Sequence, residues 1–128
     1  MTAPILTMNL LKEKFAVCRL DKNHAIPEWS ENDSFYSVTK TMDELSIVCL
    51  EKDVPHNIRH ENNWRILKIQ GPLDFSLIGI IAKISSILAE EKISIFALST
   101  FDTDYILLKD DNIENAVDIL NKNNYKII

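Results

Sequence analysis

An α+β fold is predicted by three observations in the C-terminal half of this 128-residue chain. A short apolar run at 64–70 (W-R-I-L-K-I-Q) precedes a long stretch with helical periodicity. Two further apolar runs, 93–100 and 105–109, are separated by only a short polar turn. A second amphipathic stretch, 112–123, is followed by a last apolar run at 125–128. The order is therefore β-α-β-β-α-β, the ferredoxin-like split unit.

Each element has its own local cause. Residues 64–70 carry apolar side chains on both faces, as a largely buried strand does. Gly71 and Pro72 break that strand. Leu77, Ile80, Ile81, Ile84, Ile87 and Leu88 then recur at helical spacing across 76–91, with Gly79, Lys83, Ser86 and Glu90 as the opposite stripe. Ser76 or Asp74 is suited to cap that helix. The turn at 101–104 implies an antiparallel hairpin. In 112–123, Ile113, Ala116, Val117 and Leu120 share a face, and 110–112 supply caps. Right-handed crossovers place both helices on one side of the sheet, so something must cover the other side: another part of the chain, or a second copy in a homodimer.

Residues 1–62 are less regular. Runs at 6–11, 15–20, 35–40 and 45–50 read as strands, 26–32 as a short helix or turn opened by Pro27, and 53–63 as a connector. A degenerate copy of the same unit over 1–62, followed by a complete one over 63–128, accounts for this pattern, with a strand exchanged between the halves as an open alternative.

Composition narrows the function. A net charge of −5 opposes nucleic acid and anionic membranes as partners. No apolar run approaches the ~20 residues that span a bilayer, and no secretory leader is evident. Cys18 and Cys49 lie in apolar runs, as buried reduced thiols of a cytoplasmic protein do. With Gly71 and Gly79 as its only glycines, the chain has no phosphate-binding loop. No nucleophile–base motif is evident, and no cofactor is expected. His56 and His60, four apart and followed by Glu61, would suit a metal on a helix, but Pro55 and the nearby asparagines argue against that helix and no metal is expected.

The segment G-P-L-D-F-S-L (71–77) is the most informative part of the chain. A helix start presents unpaired N–H groups and partial positive charge, which suit a carboxylate. Asp74 beside them can hold an ammonium, and the two together suit an amino acid. Asp74 as a simple cap is the competing reading.

D-E-L-S-I-V-C (43–49), G-P-L-D-F-S (71–76) and I-S-I-F-A-L-S-T-F-D-T-D-Y-I-L-L (93–108) resemble the small stand-alone proteins with two ACT-like domains. The resemblance runs from about residue 34 to the end, and extends to the regulatory ends of aspartate kinases and an animal arginine sensor. It implies a non-enzymatic regulatory module that binds an amino acid between two ACT-like modules. It further implies a pocket of three pieces: Asp74, Phe75, Ser76 and Leu77; Ile95, Phe96, Ser99 and Thr100; and Thr41, Glu44, Ser46 and Ile47. Bland readings stand beside these. Phe75 and Phe96 suit a core, Asp102 and Asp104 a turn, and Ser99 and Thr100 a solvated strand end. A protein-interaction module with an empty pocket is the alternative function.

Overall fold

The computed structural model describes residues 5–70 and 79–128. In chain order its elements are β1 (Thr7–Leu10), β2 (Phe15–Leu20), β3 (Ser37–Lys40), β4 (Leu45–Leu50), β5 (Arg59–Ile69), α1 (Ile80–Glu90), β6 (Phe96–Ser99), β7 (Asp104–Lys109), α2 (Ile113–Lys122) and β8 (Lys126–Ile127). This is a mixed α+β fold of the ferredoxin-like kind. The chain forms two compact units, residues 13–64, and residues 65–128 together with the chain up to Lys12. That division differs from a 1–62/63–128 partition chiefly at the start, where β1 joins the C-terminal sheet.

In the N-terminal unit the strands run β3-β4-β2-β5, all antiparallel. Alternation along F-A-V-C-R-L sends Ala16, Cys18 and Leu20 to one face, where they meet Leu45, Ile47 and Cys49. Trp29, Val38, Val54 and Ile58 close this core. Trp29 comes from a single 3-10 turn after Pro27, held by Ser30 Oγ donating to the Pro27 carbonyl at 2.6 Å. No α-helix occurs among the described residues of this unit.

The 53–63 connector is corrected by the structure: half of it is strand, because β5 begins at Arg59. The register shifts between Phe15↔Trp64 and Val17↔Glu61, a β-bulge at Asn62 and Asn63. Asn63 takes the left-handed conformation, φ 68°, which asparagine tolerates better than most residues, and its N–H donates to Glu51 Oε1 at 2.8 Å.

The C-terminal unit orders its strands β6-β7-β5-β1-β8. β1 is antiparallel to β5 (Met8↔Ile69, Leu10↔Leu67) and parallel to β8 (Met8↔Ile127). It therefore stands between the first and last strands of the β-α-β-β-α-β series. One side of this sheet packs Met8, Leu67, Ile69, Ile106 and Leu108 against Ile84 and Leu88 of α1 and Ile113, Ala116 and Leu120 of α2. Each of the buried Met, Leu and Ile side chains contributes about 1.5–3 kcal/mol. On the helix-free side Ile66 and Leu107 are also fully buried, so that face is covered, as its apolar residues require.

Both helices end in the same way. Lys92 (φ 60°) and Asn124 (φ 69°) turn left-handed, and the next residues, Ile93 and Tyr125, donate back to Leu88 and Leu120. This is the Schellman arrangement, completed by apolar contact of the same residues in the core. The start of α1 differs from expectation. Gly79 has φ 78°, which a right-handed helix cannot continue through, so α1 begins at Ile80 and its first backbone bond is Lys83 N–H to the Gly79 carbonyl. Asn112 precedes α2 without a side-chain capping bond; a 3-10 turn at Asp110–Asn112 leads into that helix instead.

Candidate functional site

The hairpin of β6 and β7 pairs Phe96↔Leu107 through Ser99↔Asp104. Its turn is closed twice: Thr100 N–H donates to the Thr103 carbonyl at 2.8 Å, and Thr100 Oγ1 donates to the same oxygen at 3.1 Å. Ser99 Oγ donates to the Asp104 carboxylate. Thr103 is buried, 5% exposed, and its hydroxyl donates to the Ile69 carbonyl at 2.6 Å. Ile69 ends β5, and Gln70 alone separates it from Gly71. The turn carrying Ser99 and Thr100 is thus fastened to the strand end from which the 71–77 segment leaves.

Asp74, Phe75, Ser76 and Leu77 lie outside the described residues. Of the second group, Ile95 precedes β6 and packs on the helix-side core, whereas Phe96 is half-buried and Ser99 and Thr100 are exposed. Thr103, which sequence reasoning passed over in favour of Asp102 and Asp104, is the residue that joins the hairpin to β5. A turn threonine between two aspartates carries no signal of burial.

Thr41, Glu44, Ser46 and Ile47 belong to the N-terminal unit. Thr41 organises the β3–β4 turn: its Oγ1 accepts from the N–H groups of Asp43 and Glu44 at 3.1 Å, and its own N–H donates to the Glu44 carbonyl at 2.9 Å. Thr41 also lines an open depression of about 600 Å³ with Lys22, Asn23, Lys40 and Met42. Ser46 is half-buried, on the sheet face opposite Ile47. Ile47 is fully buried in the core. In the C-terminal unit a second open groove, about 520 Å³, is lined by residues that include Ile5, Lys83, Ser86, Asn123 and Tyr125.

Cys18 and Cys49 are buried, reduced and hydrogen-bonded to one another. That bond, with burial, pushes the Cys49 thiol well up; the same bond draws Cys18 down against the opposing effect of its own burial. His56 lies in the turn before β5 and His60 on β5 itself, so they do not share a helix face. Among the described residues, no three histidine, cysteine or acidic side chains gather as metal ligands, and no helix is long and apolar enough to cross a membrane. Elsewhere in the C-terminal unit, Arg65 ties β5 to Asp110 at 3.1 Å and to the Leu11 carbonyl at 3.0 Å.

Comparison with known proteins adds to this geometry. The family model of the ACT domain matches residues 59–122, and a model described as an N-terminal domain matches 13–57. A crystal structure of a protein from Agobacterium tumefaciens is 36% identical, covers 98% of this chain and 94% of its own, and superposes with a TM-score of 0.92. The ligand-free regulatory subunit of aspartate kinase from Thermus thermophilus is 11% identical and shares the fold, with a TM-score of 0.58 over 94% of this chain and 98% of its own. The cytosolic arginine sensor for mTORC1, subunit 1, of Rattus norvegicus is 40% identical over 60 residues, 46% of this chain. The present chain matches only 18% of that relative's length. The ACT model spans half of the sequence, on the elements that build the C-terminal sheet: the chain belongs to the ACT-domain family.

Proposed function

We propose that this protein is a non-enzymatic regulatory module that senses a free amino acid in the cytosol, with the site at the end of β5. The observation that carries this reading is the Thr103 hydroxyl on the Ile69 carbonyl. It sets the Ser99–Thr100 corner beside the point where the Asp74 segment begins. The start of α1 offers unpaired N–H groups for a carboxylate, and Asp74 offers a counter-charge for the ammonium. The similarity of 60 residues of this chain to an arginine sensor supports an amino acid as the ligand class. Binding biases a surface that a partner reads, through its preference for one conformation over another.

One observation favours a second reading. The hydroxyls of Ser99 and Thr100 already donate within the hairpin, as they would if the pocket were vestigial. Among the described residues β6 pairs only with β7, which offers an outer strand edge to a second copy of the chain. A thermal-shift screen against the standard amino acids separates the two. A sensor is expected to show a selective rise in midpoint that grows with ligand concentration, and a scaffold no rise with any of them.

A further inference from the structure

We infer that the outer face of α1 is the seam of a homodimer, in which two copies of the chain pack their α1 helices antiparallel about a two-fold axis passing between Ser86 and Ile87. Ile84 and Leu88 hold one face of this helix in the core. The face turned away from them carries Ala82, Lys83, Ser86 and Glu90, all exposed, with Ile87 half-buried at its margin. A groove of about 520 Å³ runs beside this face, lined by Lys83, Ser86 and Ile87 of α1 and by Ile5, Asn123 and Tyr125. The Ile5 wall is fixed, because its N–H donates to the Asn124 carbonyl at 2.7 Å, yet its apolar side chain is 55% exposed.

Charge and size are both self-complementary about that one axis. Lys83 and Glu90 lie on one stripe about two turns apart, too far along the helix to be neighbours. Neither has an opposite charge three or four positions away, and neither has an ion-pair partner among the described residues. In the antiparallel pair, Lys83 of each copy stands level with Glu90 of the other, so both charges find partners. The same axis sets the small Ser86 level with Ile87 of the second copy, and Ala82 level with Glu91, which adds no like charge. A parallel pair would set Lys83 beside Lys83 and Glu90 beside Glu90.

Magnitudes set the kind of dimer. An 11-residue helix is about 16 Å long, so the seam and the Ile5 wall lie at the small end of specific interfaces, where association is weak and concentration-dependent. Exposed ion pairs contribute little each, and a net charge of −5 on every copy repels the next. Covering Ile5 and Ile87 therefore supplies the attraction, while the two Lys83–Glu90 pairs fix the antiparallel orientation. This seam lies on the helix side of the C-terminal unit and does not use the outer edge of β6.

Sedimentation equilibrium of the full chain over a wide concentration range tests the inference by charge reversal. The wild type is expected to pass reversibly from monomer to dimer. Lys83→Glu and Glu90→Lys, each of which turns two attractions into two repulsions, are expected to weaken the dimer tenfold or more. The double variant Lys83→Glu with Glu90→Lys is expected to restore it, because both pairs re-form with their signs exchanged. Ser86→Cys, beside the axis, is expected to link two copies by a disulfide under mild oxidation with oxidised glutathione, which a dimer through the β6 edge would not do. A monomer at every concentration would overturn the inference and leave the groove to a partner other than this chain. So would a dimer indifferent to the single reversals, a double variant no tighter than either of them, or no linkage through Ser86→Cys. Amino-acid titration of Glu90→Lys, at the far end of α1 from the sensing site, is expected to match the wild type, which keeps this result distinct from the sensing reading.

Discussion

Thr103 matters more to the corner at the end of β5 than either aspartate beside it. Its hydroxyl satisfies the Ile69 carbonyl in a buried setting, so Thr103→Val leaves that acceptor without its partner. A loss of about 1–2 kcal/mol is expected in urea unfolding. Ser99→Ala, at an exposed hydroxyl, is expected to cost under about 0.5 kcal/mol. The thiol pair gives a pH prediction. Folded Cys49 holds its proton more tightly than in the unfolded chain, where the ordinary thiol value of 9.0 applies. Above that pH the unfolded state binds fewer protons than the folded state, so the stabilisation from Cys49 is complete below about pH 9 and falls as pH rises. Urea midpoints between pH 7 and 10.5 are expected to decline at the alkaline end, less steeply in Cys49→Ala. Cys18 is drawn the other way by the same contact, and Cys18→Ala, which removes the partner that raises Cys49, is likewise expected to flatten the decline.

At the scale of elements, Gly79 determines where α1 begins. A Cβ at this position would meet nothing within 4 Å, so a substitution is opposed by backbone conformation rather than by crowding. Gly79→Ala is expected to lower unfolding free energy by about 1 kcal/mol, and Gly79→Asn by less, as measured by chemical denaturation. The same glycine shows how far an element can be read in advance. Helical spacing from Leu77 to Leu88 is continuous in the sequence, and a glycine on the polar stripe looks harmless, yet its positive φ moves the start to Ile80. β5 was half legible for a related reason. W-R-I-L-K-I declares a buried strand, whereas R-H-E-N-N is polar and the bulge at Asn62 and Asn63 breaks its alternation. The hairpin, α2 and the final strand were plain because their apolar periods run uninterrupted between turn residues. At the candidate site, the turn after β6 is legible from its polar residues, while Thr103 is not, because only burial distinguishes it.

The whole molecule shows what a linear reading leaves undecided. T-M-N-L carries the pattern of a strand but nothing that says which sheet receives it. Pairing of Met8 with Ile69 and Ile127 places β1 inside the C-terminal sheet. The five-stranded C-terminal unit therefore depends on residues that precede the N-terminal unit in the chain. Met8 is fully buried among Leu67, Ile69 and the helices, so Met8→Ala is expected to cost about 2–5 kcal/mol in unfolding free energy. Amino-acid sensing at the end of β5 is the central claim, and titration calorimetry on the intact protein tests it most directly. With the amino acid that gives the largest thermal shift, the wild type is expected to bind saturably. Asp74→Ala is expected to weaken that binding tenfold or more, and Lys22→Gln, in the other unit, to leave it unchanged. Binding to no amino acid, or equal affinity in the wild type and Asp74→Ala, would contradict the account.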